Sequence, residues 1–150
     1  MKRILHTIAT GCYIGYLPWA PGTWGTILIG IPLYLLVQSL GDLGYGIVLA
    51  LLIVLSICAA HVEETQQGEE DPHIVVIDEV VGYLFAMLLV PFTITNVVLS
   101  CGLFRLFDII KPYPIGFLDR NVKGGLGITL DDIAAGLLAN ISLRFLNWML

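Results

Sequence analysis

Between Arg3 and Glu63 the chain carries one charged residue, Asp42. Within that stretch Leu43 to Ala60 is an 18-residue run without charge. As a helix it would be about 27 Å long, close to the ~30 Å hydrocarbon thickness of a bilayer. The chain as a whole is 57% hydrophobic and 13% charged, against about 25% charged in soluble domains. Its mean hydropathy is +0.89. These values exclude a disordered chain, and the net charge of -5 argues against a nucleic-acid binder. The length of 150 residues predicts one domain over residues 1–150. The expected class is all-α: an integral membrane bundle of about four to five apolar helices, with the site in loops on the cytoplasmic side. A soluble bundle with an unusually large core is the competing reading.

The pattern predicts a short interfacial helix within 4–17, then apolar helices over 27–40, 43–60, 74–90, 97–110 and 131–150. The segment 18–25, with two prolines and two glycines, is expected to be a loop. So are 61–73, polar and acidic, and 111–128, rich in proline and glycine. If the helices alternate in direction, these three loops share one side. That side holds Lys111, Arg120 and Lys123, while the turns at 41–42 and 91–96 hold no Lys or Arg. The positive-inside rule then places the charged side in the cytoplasm. Trp19, Trp24 and Trp148 fall near segment ends, as interfacial anchors do. Cys12, Cys58 and Cys101 form no paired motif and are expected to be small buried side chains. The N-terminal apolar run is interrupted by Gly11 and Tyr13 and does not resemble a cleaved signal peptide.

Three charged clusters carry chemistry. In Phe104 to Ile115, Arg105, Asp108 and Lys111 recur at i, i+3, i+6 along one side of a helix that Pro112 ends. Arg offers a fork for phosphate oxygens and Lys a point charge; the plainer reading is a self-neutralising Arg–Asp pair. In Asp119 to Asp132, Gly124 and Gly125 precede a helix start, where backbone N–H groups can receive an anion. An ordinary flexible turn reads the same way. Thr129 and Asp132 can also be a helix cap. In Asp71 to Glu79, the adjacent carboxylates Asp78 and Glu79 interrupt an apolar run and need a partner or a metal. Asp78, Glu79, Asp131 and Asp132 would frame a Mg²⁺ ion, which takes a few carboxylates and keeps waters for a phosphate to displace. Arg105, Lys111, Arg120 and Lys123 would hold that phosphate. A structural salt-bridge network is the alternative. His61 and His73 lack the spacing of zinc ligands.

The pieces PGTWGT at 21–26, VVIDEVVG at 75–82, FRLFDIIKPYPI at 104–115, DRNVKGGLGITLDD at 119–132 and AAG at 134–136 occur in this order. Together they resemble the phosphatidylglycerophosphatase A family from about residue 15 to residue 140. The resemblance implies an all-helical, Mg²⁺-dependent, multi-pass phosphatase of the bacterial inner membrane. Its substrate would be the membrane lipid phosphatidylglycerophosphate, hydrolysed to phosphatidylglycerol and phosphate. Carried over by motif, Asp78, Glu79, Asp108, Lys111, Asp131 and Asp132 become candidate catalytic residues, and Asp119 and Arg120 join them. Through the Pro21-Gly22-Thr23 segment, Thr23 becomes a phosphate contact. A phosphatase for another lipid or isoprenoid phosphate, and a non-catalytic helical membrane binding protein, are the competing functions.

Overall fold

The computed structural model describes residues 2–149. Every regular element among them is helical: α1 (Lys2–Ala9), α2 (Pro21–Gly25), α3 (Ile31–Val37), α4 (Gly41–Gln67), α5 (Ile77–Ala86), α6 (Ile94–Ile110), α7 (Ile115–Asn121) and α8 (Gly124–Met149). The chain reverses where the Gly41–Asp42 turn is expected. Gly41 takes φ 71°, and Tyr34 and Tyr45 meet across the reversal with ring centroids 6.4 Å apart. Two runs, Pro21–Gln67 and Gly124–Met149, are long and apolar enough to cross a membrane.

Several boundaries differ from the sequence expectation. The 18–25 segment is not all loop. Pro21 occupies the first turn of α2, where its missing N–H has no intrahelical partner to lose. Gly22 and Gly25 stay helical because neighbouring elements press on them: a side chain on Gly25 would meet Val76. Helix α4 continues past Ala60 to Gln67, and Gly68 ends it in the left-handed region with its N–H bonded to Glu64 O. Helix α5 has 10 residues, about 15 Å, so the predicted span over 74–90 is half the required length. The 111–128 segment contains α7 and the opening turn of α8. Thr129 is therefore inside α8, not at its cap, and its hydroxyl lies 2.9 Å from that of Ser56. Cys12 and Cys58 are exposed and Cys101 is half-buried, all three free thiols, contrary to the buried expectation.

Helix α8 packs against α4, α5, α6 and α7. The core centres on Tyr83, Leu84, Met87, Phe104, Ala135, Ala139 and Leu143. Helices α5 and α8 touch at Gly82 and Gly136. A Cβ on Gly136 would collide with the Gly82 carbonyl, and one on Gly82 would meet Phe104 and the Asp132 carbonyl. The C-terminal carbonyls of α5 and the residues after it are also satisfied by α8. Asn140 Nδ2 donates to Ala86 O and Leu88 O at 3.0 and 2.8 Å, and Arg144 Nη2 donates to Leu89 O at 2.9 Å. This accounts for a lone arginine in an apolar helix.

Gly136→Ala is expected to lower the thermal midpoint in detergent, because overpacking costs about 1–3 kcal/mol. Gly102→Ala on α6 is expected to raise it, since a Cβ there meets open space and Ala gains up to about 1 kcal/mol over Gly within a helix. Equal shifts in the two proteins would remove the close α5–α8 crossing as a determinant.

Candidate active site

Asp78 lies one turn before Gly82 on α5, and Asp132 one turn before Gly136 on α8. The glycine crossing therefore sets these carboxylates side by side, with Glu79 next to Asp78. Each of Asp78, Glu79 and Asp132 offers an oxygen within 4.8 Å of the others. Asp78 is 5% exposed and Asp132 4%. Asp78 Oδ1, Glu79 Oε2 and Asp132 Oδ2 have no hydrogen-bond partner. Burial pushes the Asp78 carboxyl up to about 7, and burial with the neighbouring Asp78 raises Glu79 as well. Three clustered carboxylates, two of them buried and each with one oxygen lacking a partner, are costly on their own. Their hard oxygens and spacing fit a divalent cation.

Arg105 faces this group. Its Nη1 lies 2.8 Å from Asp108 Oδ2 and 3.7 Å from Glu79 Oε1. These are ion pairs without aligned hydrogen bonds, so Nε and Nη1 keep unused donors in a buried setting. The first turn of α2 closes over the pair. A side chain on Gly22 would collide with the Glu79 carboxylate and stand 2.9 Å from Arg105 Nη1.

Lys111 ends α6 in the left-handed region, φ 46°. That conformation turns its side chain toward α7 and α8, where Nζ donates to Asp131 Oδ2 at 2.6 Å and to Asp119. Burial opposes the ammonium, but its hydrogen bonds to these two carboxylates hold its pKa above the ordinary lysine value.

Asp78, Glu79, Arg105, Asp108, Lys111, Asp131 and Asp132 all line one cavity of about 330 Å³, so seven of the expected residues come together. Asp131 differs from its expected role: it pairs with Lys111 and stands outside the carboxylate trio. Thr23 is half-buried on α2 and does not line this cavity. Arg120, Lys123 and Gly124 line a neighbouring cavity of about 320 Å³ that shares Asp71 and Asp131 with the first. There Arg120 Nε donates to Gly116 O at 2.7 Å, and Lys123 pairs with Glu70 at 2.6 Å. Gly125 is a packing glycine: a Cβ would strike Ile57 O and the His61 backbone of α4.

Two lining residues escaped the sequence reading, Asp71 and His73. The signal was their place at the head of the segment carrying Asp78 and Glu79, with Asp71 in the left-handed region. A part-buried pair also went unseen: His6 Nδ1 meets Glu63 Oε1 at 2.8 Å and ties α1 to α4.

A family model described as phosphatidylglycerophosphatase A matches residues 7–147. A protein named phosphatidylglycerophosphatase A from Escherichia coli K12 is 35% identical over 98% of this chain and 86% of its own length. A protein of the same name from Haemophilus influenzae is 33% identical over 97% of this chain and 91% of its own. A Bacteroides thetaiotaomicron protein, provisionally named a phosphatidylinositol-3-phosphatase, is 37% identical over 95% and 93%. No solved structure matches the chain. With the motif order, the shared cavity and a match over nearly its whole length, the chain belongs to the phosphatidylglycerophosphatase A family.

Proposed function

We propose that this protein hydrolyses phosphatidylglycerophosphate to phosphatidylglycerol and inorganic phosphate at the cytoplasmic face of a bacterial inner membrane. The observation that carries the reading is the carboxylate trio, with one unpartnered oxygen on each member, in one cavity with Arg105 and Lys111. The names of the Escherichia coli and Haemophilus influenzae relatives support the substrate. Asp78, Glu79 and Asp132 would hold Mg²⁺, which when bound supplies positive charge to the phosphoryl oxygens. The free donors of Arg105 bind two of those oxygens, and Asp108 orients the guanidinium. Lys111 donates to a phosphoryl oxygen while Asp119 and Asp131 fix its position. The α2 turn at Gly22 keeps bulk water off Arg105 and Glu79. Helix α4, after the reversal at Gly41, and helix α8 would cross the bilayer, with Trp19, 91% exposed, as an interfacial anchor.

The test is phosphate release by the purified protein in detergent. Phosphatidylglycerophosphate should be hydrolysed faster than phosphatidic acid or phosphatidylinositol 3-phosphate. Chelator should stop the reaction and added Mg²⁺ restore it. Absence of release from all three lipids would overturn the phosphatase reading; release indifferent to chelator would overturn the metal.

A further inference from the structure

The outer face of α6 points at nothing within the protein. Val98, Gly102, Leu106 and Ile109 recur at helical spacing and form an exposed stripe along it. No charged residue occurs from Ile94 to Phe104, and the stripe itself carries none. It does not end at random. Ile109 is 72% exposed and also lines the catalytic cavity, beside Arg105, Asp108 and Lys111. One end of the stripe therefore opens on the cationic groups of the site. From Val98 to Ile109 the helix rises about 16 Å, close to one leaflet of a hydrocarbon layer ~30 Å thick. Gly102 leaves a notch partway along, since a Cβ there meets open space.

We infer that this stripe is the docking track for an acyl chain of the lipid substrate, which enters the cavity sideways past Ile109. The inference rests on the phosphatase reading and adds where the lipid tail lies. The scissile phosphate at Arg105 and Lys111 is joined through the head glycerol and its phosphodiester to the acylated glycerol, and Ile109 stands at the rim where that linker would leave the cavity. From there the chain can follow the uncharged face of α6 through the depth of one leaflet. A helix bearing charge along this face would force the tail off the protein, and a smooth helix without Gly102 would offer it less contact.

The experiment compares the diacyl lipid in mixed micelles with its deacylated headgroup, glycerophosphoglycerophosphate. Gly102→Trp fills the notch without touching the protein interior, and Leu106→Gln places a polar group on the track. In each variant the ratio of KM for the diacyl lipid to KM for the headgroup is expected to rise about tenfold over the parental ratio. An unchanged ratio in both variants would overturn the track, provided the parental protein hydrolyses the diacyl lipid. If the parental protein hydrolyses neither substrate, the phosphatase reading falls and the track with it. A change in particle size in detergent on Gly102→Trp, with the KM ratio constant, would identify a second copy as the occupant and also overturn the inference.

Discussion

Asp132→Asn is expected to raise the thermal midpoint measured in chelator and to abolish phosphate release. The two effects have one cause. Asp78, Glu79 and Asp132 converge within 4.8 Å, and one oxygen on each lacks any partner. Without a cation, such a cluster is destabilised by like-charge repulsion and by burial. Asn keeps the shape of Asp and removes a charge, so the metal-free fold gains stability. Functional groups held against stability are a common price of activity. Losing a residue that only orients a metal ligand costs about 10–100-fold, and losing a ligand is expected to exceed that, leaving below about 1% of the activity. The checks are a melting curve in chelator and a phosphate assay at saturating Mg²⁺. A lower midpoint in chelator would show that Asp132 belongs to a structural network instead.

Lys111 allows backbone and charge to be separated. Replacing it by Met or by Gly removes a donor from the phosphate side, expected to cost about 10²–10³ in rate, or 2.7–4 kcal/mol. Both variants also leave Asp131, whose side chain is 7% exposed, without its hydrogen-bond partner, at about 1–3 kcal/mol. They differ in the backbone. Lys111 holds φ 46°, a region that costs a side-chain-bearing residue roughly 1–2 kcal/mol and that glycine adopts freely at helix ends. Lys111→Gly is thus expected to be about 1 kcal/mol more stable than Lys111→Met, with equally low turnover. Near-parental turnover in Lys111→Gly would reduce the residue to a helix terminator.

The charged residues that gather in one cavity were legible in the sequence because charge is scarce in this chain. Asp78-Glu79 inside an apolar run, and Arg105 to Lys111 before Pro112, had few bland explanations. Their partners were less legible. Asp131 and Asp132 are neighbours in sequence, but the helix turns them about 100° apart, one toward Lys111 and one toward the trio. Starting the last helix at 131, with Thr129 as a possible cap, instead of at Gly124 hid this, because Gly124 and Gly125 read as loop residues. Their helical state comes from contact with α4, which no local pattern records. The same holds for Gly22, helical under Glu79 and Arg105. Arg120 and Lys123, near the others in sequence, line the neighbouring cavity instead, where each has another partner.

The shortness of α5 has an electrical consequence. Its peptide dipoles sum to roughly half a positive charge at the N-terminal end and half a negative charge at the other. The positive end carries Asp78 and Glu79 in its first turn, so the backbone itself offsets part of their repulsion and favours an anion arriving beside them. At the negative end, the amide of Asn140 meets the terminal carbonyls of Phe85 and Ala86, and the guanidinium of Arg144 meets those of Leu88 and Leu89 just beyond. A full-length helix would have carried that negative pole to water on the far side. By stopping halfway, α5 sets one pole beneath the paired carboxylates and leaves the other to be met by Asn140 of α8.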